Sequence, residues 1–165
     1  MSVMNIEQMA TEFVALAKQI TDFCRDNTIK VLLVEDNPMD TEITRIQLES
    51  LKEAGGRNYK LDVATNSEDA RRIISERRHN LVILDWQLGE GEHTGMDLAR
   101  QLHADGVQFP FVILTGREED YTEAASEDCL GWLNKRTADA KALDAGCIHA
   151  VKNWYSRKGI SAPNL

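Results

Sequence analysis

Four short apolar runs, each closed by a polar residue, constrain this chain more than any other feature. Val31–Val34 (VLLV) is followed by Glu35-Asp36, and Leu81–Leu84 (LVIL) by Asp85. Phe111–Leu114 (FVIL) is followed by Thr115-Gly116, and Gly131–Asn134 (GWLN) by Lys135. Runs this short suit strands buried on both faces. None approaches the ~20 apolar residues that a bilayer-spanning helix needs, so no membrane insertion is expected.

The segments between the runs carry helical signals. Asn37 can cap a helix with Pro38 at its first position and Asp40 in its first turn. That helix carries Ile43, Ile46, Leu48 and Leu51, and Gly55-Gly56 ends it. The spacing predicts strands over Lys30–Glu35, Tyr59–Ala64, Leu81–Trp86, Pro110–Thr115 and Leu130–Asn134. Further helices are expected from Ser67 to about Arg78, over Gly95–Asp105, from Glu118 to about Asp128, and from Thr137 to about Arg157. Ala70, Ile73 and Ile74 form the inner face of the first of these, which leaves Arg71-Arg72 and Arg77-Arg78 outside. Strands alternating with helices make an α/β fold, a parallel sheet covered on both faces.

In such a sheet all strand carboxyl ends share one edge, and ligands bind where the strand order reverses. Glu35, Asp36, Asp85, Thr115 and Lys135 therefore converge. Three carboxylates in one crevice repel and raise each other's pKa. A hard divalent cation relieves this, and Mg²⁺ accepts a few carboxylates while keeping waters. Asp85 can then act as a nucleophile that takes a phosphoryl group. Lys135 supplies a compact cation for a phosphate oxygen, and Thr115 a hydroxyl donor. The net charge of −8 argues against nucleic-acid binding, because phosphates would be repelled.

These residues resemble the response-regulator receiver family. The resemblance covers about Lys30 to Tyr155 and rests on VLLVEDNP, LVILDWQL, FVILTG and GWLNK. It implies a flavodoxin-like, doubly wound five-stranded sheet of order 2-1-3-4-5. The resemblance implies that Asp36 and Asp85 bind Mg²⁺ (Mn²⁺ being an alternative), with the Gln87 backbone carbonyl as a third ligand and Glu35 acting through water. It implies phosphorylation of Asp85 by a histidine kinase or a histidine phosphotransfer protein, with Thr115 and Lys135 holding the phosphoryl oxygens. Gln87 and Arg117 fall on the two positions that tune dephosphorylation. Trp132 stands where the family has a switch Tyr or Phe, and is read either as that switch or as a permanent surface residue. No enzyme activity is expected beyond self-phosphorylation and self-dephosphorylation of Asp85.

The chain departs from the pattern in two further places. The loop after Asp85 has Gly89 in place of the usual Pro and is longer, so contacts from Glu90–Thr94 are not inferred. Lys135 is followed by Arg136 rather than Pro, and a cis bond there would cost about 2.5–4 kcal/mol, so a trans or locally strained bond is expected.

Residues 1–28 read as an N-terminal amphipathic extension, 29–158 as the receiver domain and 159–165 as a tail, with no output domain. Ile6, Met9, Phe13, Leu16, Ile20 and Phe23 alternate spacings of three and four in one stripe. That stripe suits either an ordinary helix packed on its own domain or a homodimer or partner-binding helix. Cys24, Cys129 and Cys147 show no metal or disulfide spacing, and no signal peptide pattern opens the chain; reduced thiols in the cytoplasm are expected. His79, His93, His103 and His149 share no ligand spacing and read as surface or helix residues. The face from about Thr115 to Asp144 is the expected docking surface for an output protein. Two other classes compete: an interaction module of the same fold that works without phosphorylation, and a haloacid-dehalogenase-type phosphatase. The second wants another Asp two residues beyond a nucleophile in the first strand motif, where this chain has Pro38 after Asp36-Asn37.

Overall fold

Strand β1 (Thr28–Val34) shows why the sheet forms as it does: its side chains alternate between two separate cores. Ile29, Val31 and Leu33 point to one face and Leu32 and Val34 to the other, as a period of two requires. The structure is a computed structural model and describes residues 6–8, 10–15, 28–89, 95–116 and 132–162. Around β1 stand β2 (Asn58–Ala64), β3 (Leu81–Asp85), β4 (Phe111–Thr115) and β5 (Trp132–Asn134). All pairs are parallel and the order is β2-β1-β3-β4-β5. This is the flavodoxin-like arrangement expected.

Helices α1 (Pro38–Glu53) and α4 (Ala140–Arg157) cover one face, contributing Leu48, Leu143, Cys147 and Val151 to its core. Helices α2 (Ser67–Ser75) and α3 (Gly95–Ala104) cover the other with Ala70, Ile74, Leu98 and Leu102. Asn37 caps α1, its side chain accepting from the Met39 and Asp40 amides, with Pro38 in the first turn.

Several boundaries and burials differ from the sequence reading. Of the apolar residues α1 carries, Leu48 and Leu51 face the core together with Thr44, while Ile43 and Ile46 are exposed. Helix α2 stops at Ser75, because Arg77 takes a left-handed φ of 52° that a helix cannot continue. Helix α4 starts at Ala140 instead of Thr137: Asp139 caps it by accepting from the Ala142 amide at 2.8 Å. Residues 135–137 form a turn before it. His79 is buried, its Nε2 2.8 Å from Asp62 Oδ2, whereas His103 and His149 are exposed. Cys147 is fully buried and free, and burial pushes its thiol pKa up. No cis peptide occurs among the described residues, Lys135-Arg136 included. The expected acidic helix at 118–128, the loop at 90–94 with His93, Arg117, Cys24 and Cys129 lie outside the described residues. No described helix is long and apolar enough to cross a membrane.

Asp144 ties α4 to the start of β2. It accepts 2.5 Å hydrogen bonds from Arg57 Nη1 and from the hydroxyl of Tyr59. Asp144→Ala leaves a half-buried guanidinium and a phenol without this acceptor. The expected cost is about 2 kcal/mol, read as a thermal midpoint about 5 °C lower.

Candidate functional site

The register of the parallel sheet sets the polar strand ends side by side. Asp85 pairs with Leu114 and Thr115 with Asn134, so β3, β4 and β5 end at one rim. Glu35 continues β1 to the same rim, its amide donating to the Ala64 carbonyl at 3.0 Å. The amide of Lys135 donates to the Thr115 carbonyl at 2.8 Å, which fixes where the lysine side chain starts. One crevice is lined by Glu35, Asp36, Asp85, Gln87, Thr115 and Lys135. Glu35, Asp85 and Thr115 are buried at its floor, while Asp36 and Gln87 are exposed at its mouth.

Lys135 is the hub. Its Nζ lies 2.5 Å from Glu35 Oε2, 3.0 Å from Asp40 Oδ2 and 3.1 Å from Asp85 Oδ2. Burial works against its charge, but the hydrogen bond to Glu35 and the charges of Asp85 and Glu35 outweigh it and raise its pKa. The remaining carboxylate oxygens are held by backbone. Asn37 N–H donates to Glu35 Oε1 at 3.0 Å, Gly89 N–H to Asp36 Oδ2 at 2.9 Å, and Gln87 N–H to Asp85 Oδ1 at 3.3 Å.

Two residues at this crevice escaped the sequence reading. In the sequence Asp40 reads only as a favourable charge in the first helical turn, yet it reaches Lys135. Its place in the first turn of α1, close after the Glu35-Asp36 pair, is the available signal. Arg136 also lines the crevice. Trp132 lies on β5 and is 41% exposed, so it is not a core residue. Arg117 lies outside the described residues.

The donor set suits a hard cation. Glu35, Asp36 and Asp85 each offer a carboxylate oxygen, and these atoms lie within 4.8 Å of one another. Hard oxygen donors converging from the ends of different strands fit Mg²⁺ better than a softer metal. Electrostatics agree. Burial pushes Glu35 from an ordinary 4.5 up to about 7, the bond from Lys135 pulling it down and the charge of Asp85 adding to the rise. Burial likewise raises Asp85, against the attraction of Lys135.

A pH dependence follows. Between pH 4.5 and about 7 the folded, cation-free protein keeps a proton on Glu35 that the unfolded chain has released. Its stability contribution therefore falls as pH rises through that window. Urea midpoints measured in chelator should drop from pH 5 to pH 7 (about two units, inside the window), and Glu35→Gln should flatten the slope. Added Mg²⁺ should restore more stability at the upper end, where the carboxylates are ionised.

Residues 31–145 match the response regulator receiver domain family. The two-component response regulator PhoP of Pseudomonas aeruginosa is 33% identical over 89 residues, which cover 54% of this chain and 36% of that protein. The transcriptional regulatory protein ComA of Bacillus subtilis is 26% identical over 126 residues, covering 74% of this chain and 56% of ComA. The chain thus spans from about a third to little over half the length of these curated relatives. Among solved structures, the signal receiver domain of a modulated diguanylate cyclase from Desulfovibrio desulfuricans G20 is 27% identical, with a TM-score of 0.63 over 78% of this chain and 97% of that one. A CheY-like receiver domain from Methylobacillus flagellatus is 24% identical, with a TM-score of 0.61 over 75% of this chain and 98% of that one. The strand order, the acidic crevice and the span of the family match agree, and the chain belongs to the response regulator receiver domain family.

Proposed function

We propose that this chain is a phosphorylation switch in which Asp85 accepts a phosphoryl group from a histidine kinase or a histidine phosphotransfer protein. A carboxylate oxygen of Asp85 attacks phosphorus as the phosphorus–nitrogen bond of the donor phosphohistidine breaks, and the imidazole leaves with its electron pair and takes up a proton. Asp36 and Asp85 would hold Mg²⁺ (or Mn²⁺) with the Gln87 carbonyl, and Glu35 would act through water. The ion supplies charge neutralisation for the phosphoryl oxygens. Lys135 and Thr115 hold those oxygens, and Gln87 and Arg117 tune hydrolysis of the aspartyl phosphate, in which water attacks phosphorus and the Asp85 carboxylate leaves. The observation that carries this reading is the single ammonium of Lys135, 3.1 Å from Asp85 in a crevice with two further carboxylates.

The phosphorylated state draws Thr115 toward the new charge, and the face from about Thr115 to Asp144, with exposed Trp132, presents the change to an output protein. Donor docking is supported by the outer face of α1. There Met39, Ile43 and Ile46 form an exposed apolar stripe beside the crevice. The N-terminal helix lies outside the matched residues 31–145 and adds a surface for a second copy. The setting is cytoplasmic, without nucleic-acid binding and without catalysis on other substrates. Intact mass after exposure to a small acyl phosphate tests the reading: one added phosphoryl, about 80 Da, is expected with Mg²⁺ and none with chelator. Uptake independent of a divalent ion, or none at all, contradicts it.

A further inference from the structure

On the reading of the crevice proposed above, we infer that Asp40 is a positioning residue for Lys135: it holds the ammonium in place when a divalent cation takes up Glu35 and Asp85. Two cations compete for the same carboxylates here. Lys135 Nζ lies 2.5 Å from Glu35 Oε2 and 3.1 Å from Asp85 Oδ2. Those two residues also belong, with Asp36, to the group whose carboxylate oxygens lie within 4.8 Å of one another. These carboxylates hold the ammonium less tightly once they share a dication, whose charge also repels it. A lysine ammonium sits on a flexible four-carbon stem, so it swings away unless another group retains it.

Asp40 is placed to retain it. Its Oδ2 lies 3.0 Å from Lys135 Nζ. Among the described residues it is the one carboxylate that reaches the ammonium from outside the Glu35, Asp36 and Asp85 group. The Lys135 side chain is 17% exposed, so solvent screens the pair only in part. Rigid elements aim the contact. Asn37 accepts from the amides of Met39 and Asp40, which fixes the first turn of α1, and its own amide donates to Glu35 Oε1 at 3.0 Å. Further along α1, Gln47 Nε2 donates to the Ala138 carbonyl at 2.9 Å, three residues beyond Lys135. Helix α1 thus grips the turn that carries the lysine at two points. With Asp40 present, the ammonium can give up Glu35 and Asp85 without leaving the crevice. Without it, Lys135 stays on those carboxylates and competes with the cation, or leaves the position from which it meets a phosphoryl oxygen.

Mg²⁺ titrations followed by the fluorescence of Trp86, which lines the crevice, test this on four whole chains: the parent, Asp40→Asn, Lys135→Met and the double variant. Asp40→Asn removes the charge and keeps the size. It should weaken Mg²⁺ binding about ten-fold in the parent, and by less than about three-fold in the Lys135→Met background. An equal loss in both backgrounds would make Asp40 a distant charge acting on the ion, and overturns the inference. So does the absence of any loss in the parent. A second measurement serves if Lys135→Met does not fold. With Mg²⁺ present, a small amine-acylating reagent should modify Lys135 about ten-fold faster in Asp40→Asn than in the parent, read by peptide mass. Exposed Lys52 and Lys60 should react alike in both. Equal modification of Lys135 overturns the inference and leaves the reading of the crevice standing. A parent that binds no Mg²⁺ overturns both.

Discussion

Replacing Asp85 by asparagine is expected to abolish phosphoryl uptake while leaving the fold at least as stable as before. The two halves of this result have different causes. An amide nitrogen or oxygen is a poor nucleophile toward phosphorus and forms no acyl phosphate, so the rate should fall by about 100-fold or more. Stability should not fall with it. Asp85 is 6% exposed, and burial disfavours its charged form. Asparagine has nearly the same volume and no charge to desolvate. Lys135 keeps Glu35 at 2.5 Å and Asp40 at 3.0 Å, so no cation is stranded. A thermal midpoint equal to the parent's or a few degrees above it is expected. A variant that loses uptake and also melts early would mean that Asp85 is a structural anchor, and its loss of uptake would carry no chemical meaning.

The largest expected effect on stability sits ten residues away in sequence and in contact with the same strand. Gly95 opens α3, and its amide donates to the Trp86 carbonyl at 2.7 Å. A Cβ added there would lie 2.1 Å from the carbonyl oxygen of Asp85 and 3.1 Å from its carbonyl carbon. Both obstacles are backbone, and neither can turn aside as a side chain would. Gly95→Ala must push α3 off the sheet or bend the end of β3. We expect a loss of about 3 kcal/mol and a midpoint about 10 °C lower. Uptake should be impaired as well, because the displaced strand carries Asp85. Gly116→Ala is the matched control. It sits in the same crevice with nothing within 4 Å of its added Cβ, and should change stability by under about 0.5 kcal/mol. Equal melting of the two variants would refute the close approach of α3 to β3.

The strands were legible in the sequence because burial on both faces leaves little choice of residue. Leu81–Asp85 and Val31–Val34 could be read directly, and a parallel sheet then forced their polar ends onto one rim. The crevice was legible for the same reason. What could not be read depends on contacts made by elements distant in sequence. Ile43 and Ile46 have the composition of core residues, but α1 turns Thr44 and Leu48 inward because α4 and the sheet meet it there. The sequence places the start of α4 at Thr137, since nothing local distinguishes that hydroxyl from the carboxylate of Asp139 as a cap; the turn at 135–137 decides between them. Asp40 reads locally as a residue of its helix alone, because its partner Lys135 is 95 residues away.

Mapping the phosphoryl group to one residue tests the account most directly. Aspartyl phosphate formed from a small acyl phosphate with Mg²⁺ can be reduced by borohydride, which converts that aspartate to homoserine and leaves a permanent mass mark in its peptide. The mark is expected at residue 85 and nowhere else. A mark at Asp36 or Asp40, or a phosphorylated chain in which residue 85 is still aspartate after reduction, would contradict the assignment of the nucleophile.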